Sequence, residues 1–382
     1  MTTTSHTSHS RTTESIATPL SAQTAPDSAA DFSFAIHSPA AAGLDESAGD
    51  ANAPAGTGPA VRRRVVVLTG ASSGIGRATA QTLARHGACI VLAARDRAAL
   101  ESVAAECVGQ GAETLVVPTD VTDADAMVAL ADAAIARFGH IDAWINNVGV
   151  GAVGLFDATP MEAHRRVIEA NLIGHMNGAH AVLPHFRARG RGTLVNMISL
   201  GGFVSAPYAS AYTASKFGLR GFSESLRGEL SALRDVYVCE VFPTFVDTPG
   251  MTHGANYTGR HISAPPPLVD PRRVATALAT LALARRPRAR TYIGGPALPG
   301  ILAHALAPNV VVRTMMLGMK LALGRAEQAP ITDGNLHAPS HGHAVDGGFR
   351  EANRPTPETA MSIAAVALGA IALLAMAMTR KR

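Results

Sequence analysis

The chain has 382 residues, 47% apolar and 16% charged, with a formal net charge of +4. That is ample material for a buried core. The charge is too weak and scattered for nucleic-acid binding: no basic run is longer than Arg62-Arg63-Arg64, which precedes an apolar strand, and aromatics are only 4%.

Cys89, Cys107 and Cys239 show neither metal nor redox spacing. Cys89 and Cys239 lie in apolar runs and read as core residues, so no oxidising compartment is required and no metal site is expected. Residues 1–60 are rich in Ser, Thr, Ala, Pro and Gly without periodicity, which predicts a disordered N-terminal segment. With no apolar signal core and one arginine, Arg11, close to Glu14, neither secretory nor mitochondrial targeting is expected.

Order begins at Val65-Val66-Val67-Leu68, a β-branched run typical of buried parallel strands. Strand and helix patterns then alternate. Helices are predicted over 74–86, 96–108, 123–138, 161–187, 209–233 and 272–284, and strands over 89–94, 114–117, 141–145, 193–198, 236–242 and 290–293. The alternation predicts one α/β domain over residues 61–297. It is a Rossmann-like, doubly wound parallel sheet with helices on both faces and ligands beyond the carboxyl ends of the strands.

Residues 298–360 read as a C-terminal extension and linker. Arg313 and Lys320 interrupt the apolar stretch 298–323, which fits a greasy lip at a membrane, a packing helix or a dimer contact. The Gly-, Pro-, His- and Asp-rich residues 325–360 predict an irregular arm, in which His341 and His343 lack further metal ligands and read as loop residues. Residues 361–378 run 18 positions without a charge before Thr379-Arg380-Lys381-Arg382. They predict a weak membrane anchor, with a buried or oligomer-forming helix as the alternative. An anchor there puts the protein at the membrane with its folded domain in the cytoplasm. The positive-inside rule would keep the terminal basic cluster there too, which one span cannot satisfy, so either the tail crosses despite its charge or the helix lies shallowly in one leaflet.

Two local patterns carry chemistry. Thr69-Gly70-Ala71-Ser72-Ser73-Gly74-Ile75-Gly76 joins the first strand to the first helix. Glycines let such a backbone approach a pyrophosphate, and the helix N-terminus stabilises its charge, so Gly70, Ser72, Ser73, Gly74, Ile75 and Gly76 are candidate cofactor ligands. At the tip of the second strand, Ala94-Arg95-Asp96 lacks the acid that would hold ribose hydroxyls and repel a 2′-phosphate. Arg95 therefore favours NADP(H) over NAD(H); alternatively it caps the loop while Asp96 begins the next helix. Tyr212 and Lys216 share a helical face in a chain whose only lysines are Lys216, Lys320 and Lys381. An ammonium beside a phenol lowers the tyrosine pKa and makes a proton-transfer device. Alone, the pair also reads as an exposed helix with an unrelated Tyr and Lys.

Together, Thr69-Gly70-x-x-x-Gly74-x-Gly76, Asn146-Asn147-Val148-Gly149, Asn171, Ser199 and Tyr212-x-x-x-Lys216 resemble the short-chain dehydrogenase/reductase family over residues 64–295. Asp333-Gly334-Asn335-Leu336 and Asp346-Gly347-Gly348 resemble, less specifically, a bacterial subgroup with a C-terminal extension. The resemblance implies catalytic roles for Asn171, Ser199, Tyr212 and Lys216. Tyr212 would be the acid in carbonyl reduction and the base in alcohol oxidation, and Ser199 would hold the substrate oxygen with it. Lys216 would lower the tyrosine pKa and bind the nicotinamide ribose, and Asn171 would support a proton-relaying water. Further cofactor contacts are implied at Asp120, Val121, Asn147, Val246 and Thr248. Val148 and Thr244 depart from the family's usual alanine and glycine and are expected to reshape the pocket floor.

The substrate lid is expected between 249 and 267, with Met251, His253 and Tyr257 facing substrate and Val204, Ala206 and Pro207 opposite. These walls imply an apolar ketone, aldehyde, sterol-like or acyl substrate. The expected function is NADP(H)-dependent interconversion of a carbonyl and an alcohol by hydride transfer, in a homodimer or homotetramer. The rival is a catalytically silent NADP(H)-binding sensor or membrane scaffold on the same fold, which would have no use for Tyr212.

Overall fold

Apolar strands alternate with amphipathic helices in the computed structural model, which describes residues 63–339 and 342–352. The expectations for residues 1–60 and 361–378 lie outside the described residues. The strands are β1 (Val65–Thr69), β2 (Cys89–Ala94), β3 (Glu113–Pro118), β4 (Ala143–Asn146), β5 (Ala152–Val153), β6 (Arg191–Met197), β7 (Asp235–Pro243), β8 (Ala255–Asn256) and β9 (Arg290–Ile293). The helices are α1 (Gly74–Arg85), α2 (Arg97–Gly109), α3 (Ala124–Phe138), α4 (Met161–Ile168), α5 (Gly174–Arg189) and α6 (Ser210–Glu229). They continue with α7 (Gly250–His253), α8 (Pro271–Leu283), α9 (Ala297–Leu306), α10 (Pro308–Arg325) and α11 (Phe349–Ala352).

Seven strands pair in parallel in the order β3-β2-β1-β4-β6-β7-β9, while β5 and β8 form a separate two-stranded sheet. Every residue of β1 and β4 is buried, as a parallel sheet covered on both faces requires. One apolar layer joins Leu83, Leu100, Val274 and Leu278 to one face of the sheet. A second joins Met127, Leu130, Trp144, Phe186 and Leu226 on the other. Asp96, Asp123 and Asp270 cap α2, α3 and α8 by accepting the amides of Ala99, Ala126 and Arg272. The strand order reverses between β1 and β4, so a crevice opens at their carboxyl ends, the place where doubly wound sheets bind ligands.

Several boundaries differ from the sequence reading. β4 begins at Ala143 rather than 141, because the Ile141 amide goes to His185 Nε2 and Asp142 turns its carboxylate to the Val65 amide. The helix predicted over 161–187 is interrupted by a π turn at Glu169–Ile173. The stretch 298–323 breaks at Ala307, before Pro308, into α9 and α10, bent by 120°. No residue of α10 is buried, and Leu298, Leu302, Leu306, Val310, Leu317 and Leu321 are exposed. Among the described residues no single helix is long and apolar enough to cross a membrane.

Candidate functional site

The glycine loop is shaped by contact. A Cβ on Gly76 would stand 1.9 Å from the Gly70 carbonyl oxygen, so only glycine lets α1 tuck this closely beneath the turn. Asn147, at the end of β4, braces the turn from the other side. Its Nδ2 donates to the carbonyls of Thr69 and Gly70, both at 3.2 Å, and its amide donates to Thr69 Oγ1 at 3.1 Å. It therefore holds the loop. Ser73 occupies the N-cap of α1 without capping it through its side chain, and the first turn holds no acid. Helix amides and dipole thus offer an anion site flanked by Gly74 and Ile75. Across the cleft, Thr248 faces Gly74.

The expected adenosine end gathers at the tips of β2 and β3. Asp120 accepts the amide and hydroxyl of Thr122 on its Oδ1, at 3.0 and 2.9 Å. Val121 is buried, and its carbonyl accepts Asn177 Nδ2 at 2.9 Å. Arg95 donates to the carbonyls of Asn335 (2.8 Å), Ala338 (3.0 Å) and Leu336 (3.5 Å). Burial lowers its pKa, with Asp120 opposing, but a guanidinium starts high enough to stay charged.

At the other end, β6 delivers Ser199 and α6 delivers Tyr212 and Lys216. Ser199 has φ 136°, a strained conformation that only its surroundings can hold, and its Oγ accepts the Gly201 amide at 3.1 Å. Tyr212 is half-buried, whereas Lys216 is 2% exposed. Lys216 Nζ donates to the Met197 carbonyl at 3.0 Å and lies 5.7 Å from the centre of the Tyr212 ring. Burial brings the Lys216 pKa down to about 7. Burial also pushes the Tyr212 phenol up, with a Ser199 hydrogen bond opposing it. The expected lowering of the tyrosine by its lysine is therefore not what the geometry yields: desolvation governs both groups, and the ammonium points at a carbonyl.

Asn171 sits in the π turn, fully buried. Its Oδ1 accepts the Val150 amide at 2.8 Å, and its Nδ2 donates to the Val150 carbonyl (2.9 Å) and Ser215 Oγ (3.3 Å). The side chain is thus engaged in holding the wall of the cleft. Val246, after β7, pairs with Val269. Of the two departures from the family pattern, Val148 lies against Gly70 and Thr244 against Gly294.

The lid residues are partly claimed by the C-terminal arm. Tyr257 donates its hydroxyl to Asp333 at 2.5 Å, and the His253 carbonyl accepts the Asn335 amide at 2.8 Å. Val204 is buried, while Ala206, Pro207 and Met251 are half-buried. The sequence motifs contain Leu336 and Asp247 without showing their tasks: Leu336 is 3% exposed and packs in the cluster that includes Tyr212, and Asp247 is 1% exposed and accepts the amides of Phe349 and Arg350. The Asp-Gly-Asn-Leu and Asp-Gly-Gly motifs of the arm were the available signal. Among the described residues no group of three or more His, Cys, Asp or Glu could hold a metal.

A profile of the family described as short chain dehydrogenase matches residues 64–257. The uncharacterized oxidoreductase YxnA of Bacillus subtilis is 34% identical over 257 residues, 67% of this chain and 72% of YxnA. Human dehydrogenase/reductase SDR family member 7 is 38% identical over 183 residues, 47% of this chain and 54% of that one. Two solved structures share the fold. An alcohol dehydrogenase from the archaeon Thermococcus sibiricus, complexed with 5-hydroxy-NADP, has a TM-score of 0.54 at 28% identity and covers 60% of this chain and 96% of its own. A metagenomic short-chain oxidoreductase in complex with NADP has a TM-score of 0.52 at 32% identity, with the same coverage.

Proposed function

We propose, from the premise that the chain belongs to the short-chain dehydrogenase/reductase family and is an NAD(P)-dependent oxidoreductase acting on CH–OH groups, that it uses NADP(H) to interconvert an apolar carbonyl and its alcohol. The observation that carries the reading is the convergence of Ser199, Tyr212 and Lys216 at the carboxyl edge of β6, along the crevice that holds the glycine loop.

The cleft suits a dinucleotide. Gly70, Ser72, Ser73, Gly74, Ile75, Gly76 and Thr248 surround the start of α1, which has no side-chain cap and whose Gly74 amide is held by the Ala344 carbonyl, and Asp120, Val121 and Asn147 lie towards the adenosine. Among the described residues the hydrogen bonds of Arg95 go to carbonyls and Asp120 is the acid that acts on its charge, an arrangement in which a guanidinium can also meet a 2′-phosphate. A bound nicotinamide supplies the hydride in reduction and accepts it in oxidation.

The remaining work falls to the protein. Tyr212, a phenol that burial pushes above its ordinary pKa, donates its proton to the substrate oxygen, and Ser199 holds that oxygen as charge develops. In the reverse direction the Tyr212 phenolate takes the alcohol proton. Lys216 binds the ribose hydroxyls, which restore polar partners to its nitrogen and favour the charged form that stabilises the phenolate. Asn171 acts as a positioning residue through Val150, and the π turn around it supplies the backbone for a proton-relaying water. With NADPH and a panel of apolar ketones and aldehydes, Tyr212→Phe should lower turnover by about 10²–10⁴-fold with nearly unchanged NADPH binding. Turnover equal to wild type would leave the silent sensor as the better reading.

Association with a membrane through residues 361–378 belongs to the same proposal, supported by their charge-free sequence and by the exposed leucines of α9 and α10. Fractionation should find the full chain with membranes and a chain ending at Pro357 released from them; a full chain in the soluble fraction refutes it.

A further inference from the structure

The arm beyond α10 folds back along the whole mouth of the cleft. Gln328 and Thr332 bridge to Arg260 and Asn256 of the lid, and Asp333 takes the Tyr257 hydroxyl. Leu336 enters the apolar cluster of Ala152, Ala211, Tyr212 and Tyr257. The arm then crosses to the adenosine end, where its carbonyls hold Arg95. Further on it reaches the phosphate loop: the His343 carbonyl accepts Arg77 Nη1, and the Ala344 carbonyl accepts the Gly74 amide, each at 2.9 Å.

The arm returns to the opposite bank after β7. Gly347 passes so close that a Cβ would lie 2.7 Å from the Thr248 carbonyl oxygen. Asp247 accepts the amides of Phe349 (2.9 Å) and Arg350 (3.0 Å), and also Arg350 Nε at 3.1 Å. Arg350 reaches Asp270 (2.7 Å) and Asp346 (2.8 Å) with its other nitrogens, and Arg272 takes Asp346 in a bidentate pair at 2.8 and 2.7 Å. Two arginines and three aspartates thus fasten the end of the arm.

We infer that residues 332–339 and 342–350 form a clasp over the dinucleotide cleft, latched by Arg272, Arg350, Asp247, Asp270 and Asp346, and that the latch must open to admit or release the nucleotide. The inference rests on the dinucleotide reading of the cleft. Its physical basis is that the arm bonds to both banks: the glycine loop and β2 tip on one side, the turn after β7 on the other. Its fastenings are of a releasable kind. They are backbone hydrogen bonds and ion pairs: the Arg272–Asp346 pair is open to water and Arg350 is partly exposed, while Asp247 itself is buried. Segments of that kind open locally and commonly gate ligand exchange.

The test uses the full chain. Stopped-flow fluorescence of NADPH binding to wild type should give an observed rate that reaches a plateau as NADPH rises, the plateau being the opening rate of the clasp. Arg350→Ala should raise both the plateau and the NADPH dissociation rate about tenfold, the sum of the weakened ion pairs. Gly347→Val, which forces the arm off Thr248, should do the same through contact rather than charge. A rate that rises linearly with NADPH in wild type overturns the clasp. So does a plateau unchanged in both variants when hydrogen exchange shows the 342–350 amides loosened. Binding by neither NADPH nor NADH would overturn the cofactor reading and the clasp together, whereas linear binding overturns the clasp alone.

Discussion

The two ends of the cleft hold their cations by opposite means. Lys216 is desolvated beneath the sheet edge with one carbonyl partner, and its pKa falls to about 7. Arg95 stands at the adenosine end, charged and ringed by carbonyls of a segment about 240 residues later in the chain. One end is built into the core and can be rearranged only by unfolding it. The other is completed by an arm held through backbone hydrogen bonds and partly exposed ion pairs. A buried ammonium costs stability and gives a fixed, responsive charge; a carbonyl-held guanidinium gives a charge whose setting can open.

The largest expected effect breaks the comparison at Lys216. Its folded pKa lies near 7 against 10.5 for the free side chain, so the folded chain binds fewer protons between those values. Stability therefore rises with pH from about 7 to 10.5, and the burden of burial is greatest below 7. Lys216→Met should abolish turnover yet raise stability at pH 6 by as much as about 5 kcal/mol, the gap closing towards pH 10.5. Thermal unfolding at pH 6, 8 and 10 checks this, and a variant no more stable than wild type at pH 6 contradicts it.

A smaller effect sharpens the other side. Arg95→Ala should weaken NADPH about 10- to 100-fold, as expected for a lost charge-assisted bond to phosphate, and NADH much less. Titration of both nucleotides decides it: equal losses would reduce Arg95 to a carbonyl cap for the arm.

Much of the fold and the chemistry is legible in the sequence. The β-branched run at Val65, the glycine loop and the Tyr212/Lys216 spacing are local patterns, and local backbone geometry carries them into the structure with shifts of a few residues. The asparagine of the π turn was legible as a residue but not as a device, because its partner Val150 lies 21 positions away. The bracing of the glycine loop by Asn147 is likewise invisible in the sequence, because the Thr69 and Gly70 carbonyls it bonds lie 78 and 77 positions away. Residues 325–360 read as irregular because they carry no periodic apolar face. Their order comes from carbonyls, amides and ion pairs that no hydrophobic pattern announces.

By itself the sequence determined a doubly wound parallel sheet, a phosphate-ready loop at its first turn and a phenol and an ammonium on one helical face. Each of those depends on residues within a turn or two of one another. Only the tertiary structure decided that burial, rather than the neighbouring charge, sets the titration of Tyr212 and Lys216, and that the arm closes on Arg95 and Gly74. Desolvation and long-range hydrogen bonds depend on what the rest of the chain packs around a group, which no local pattern contains.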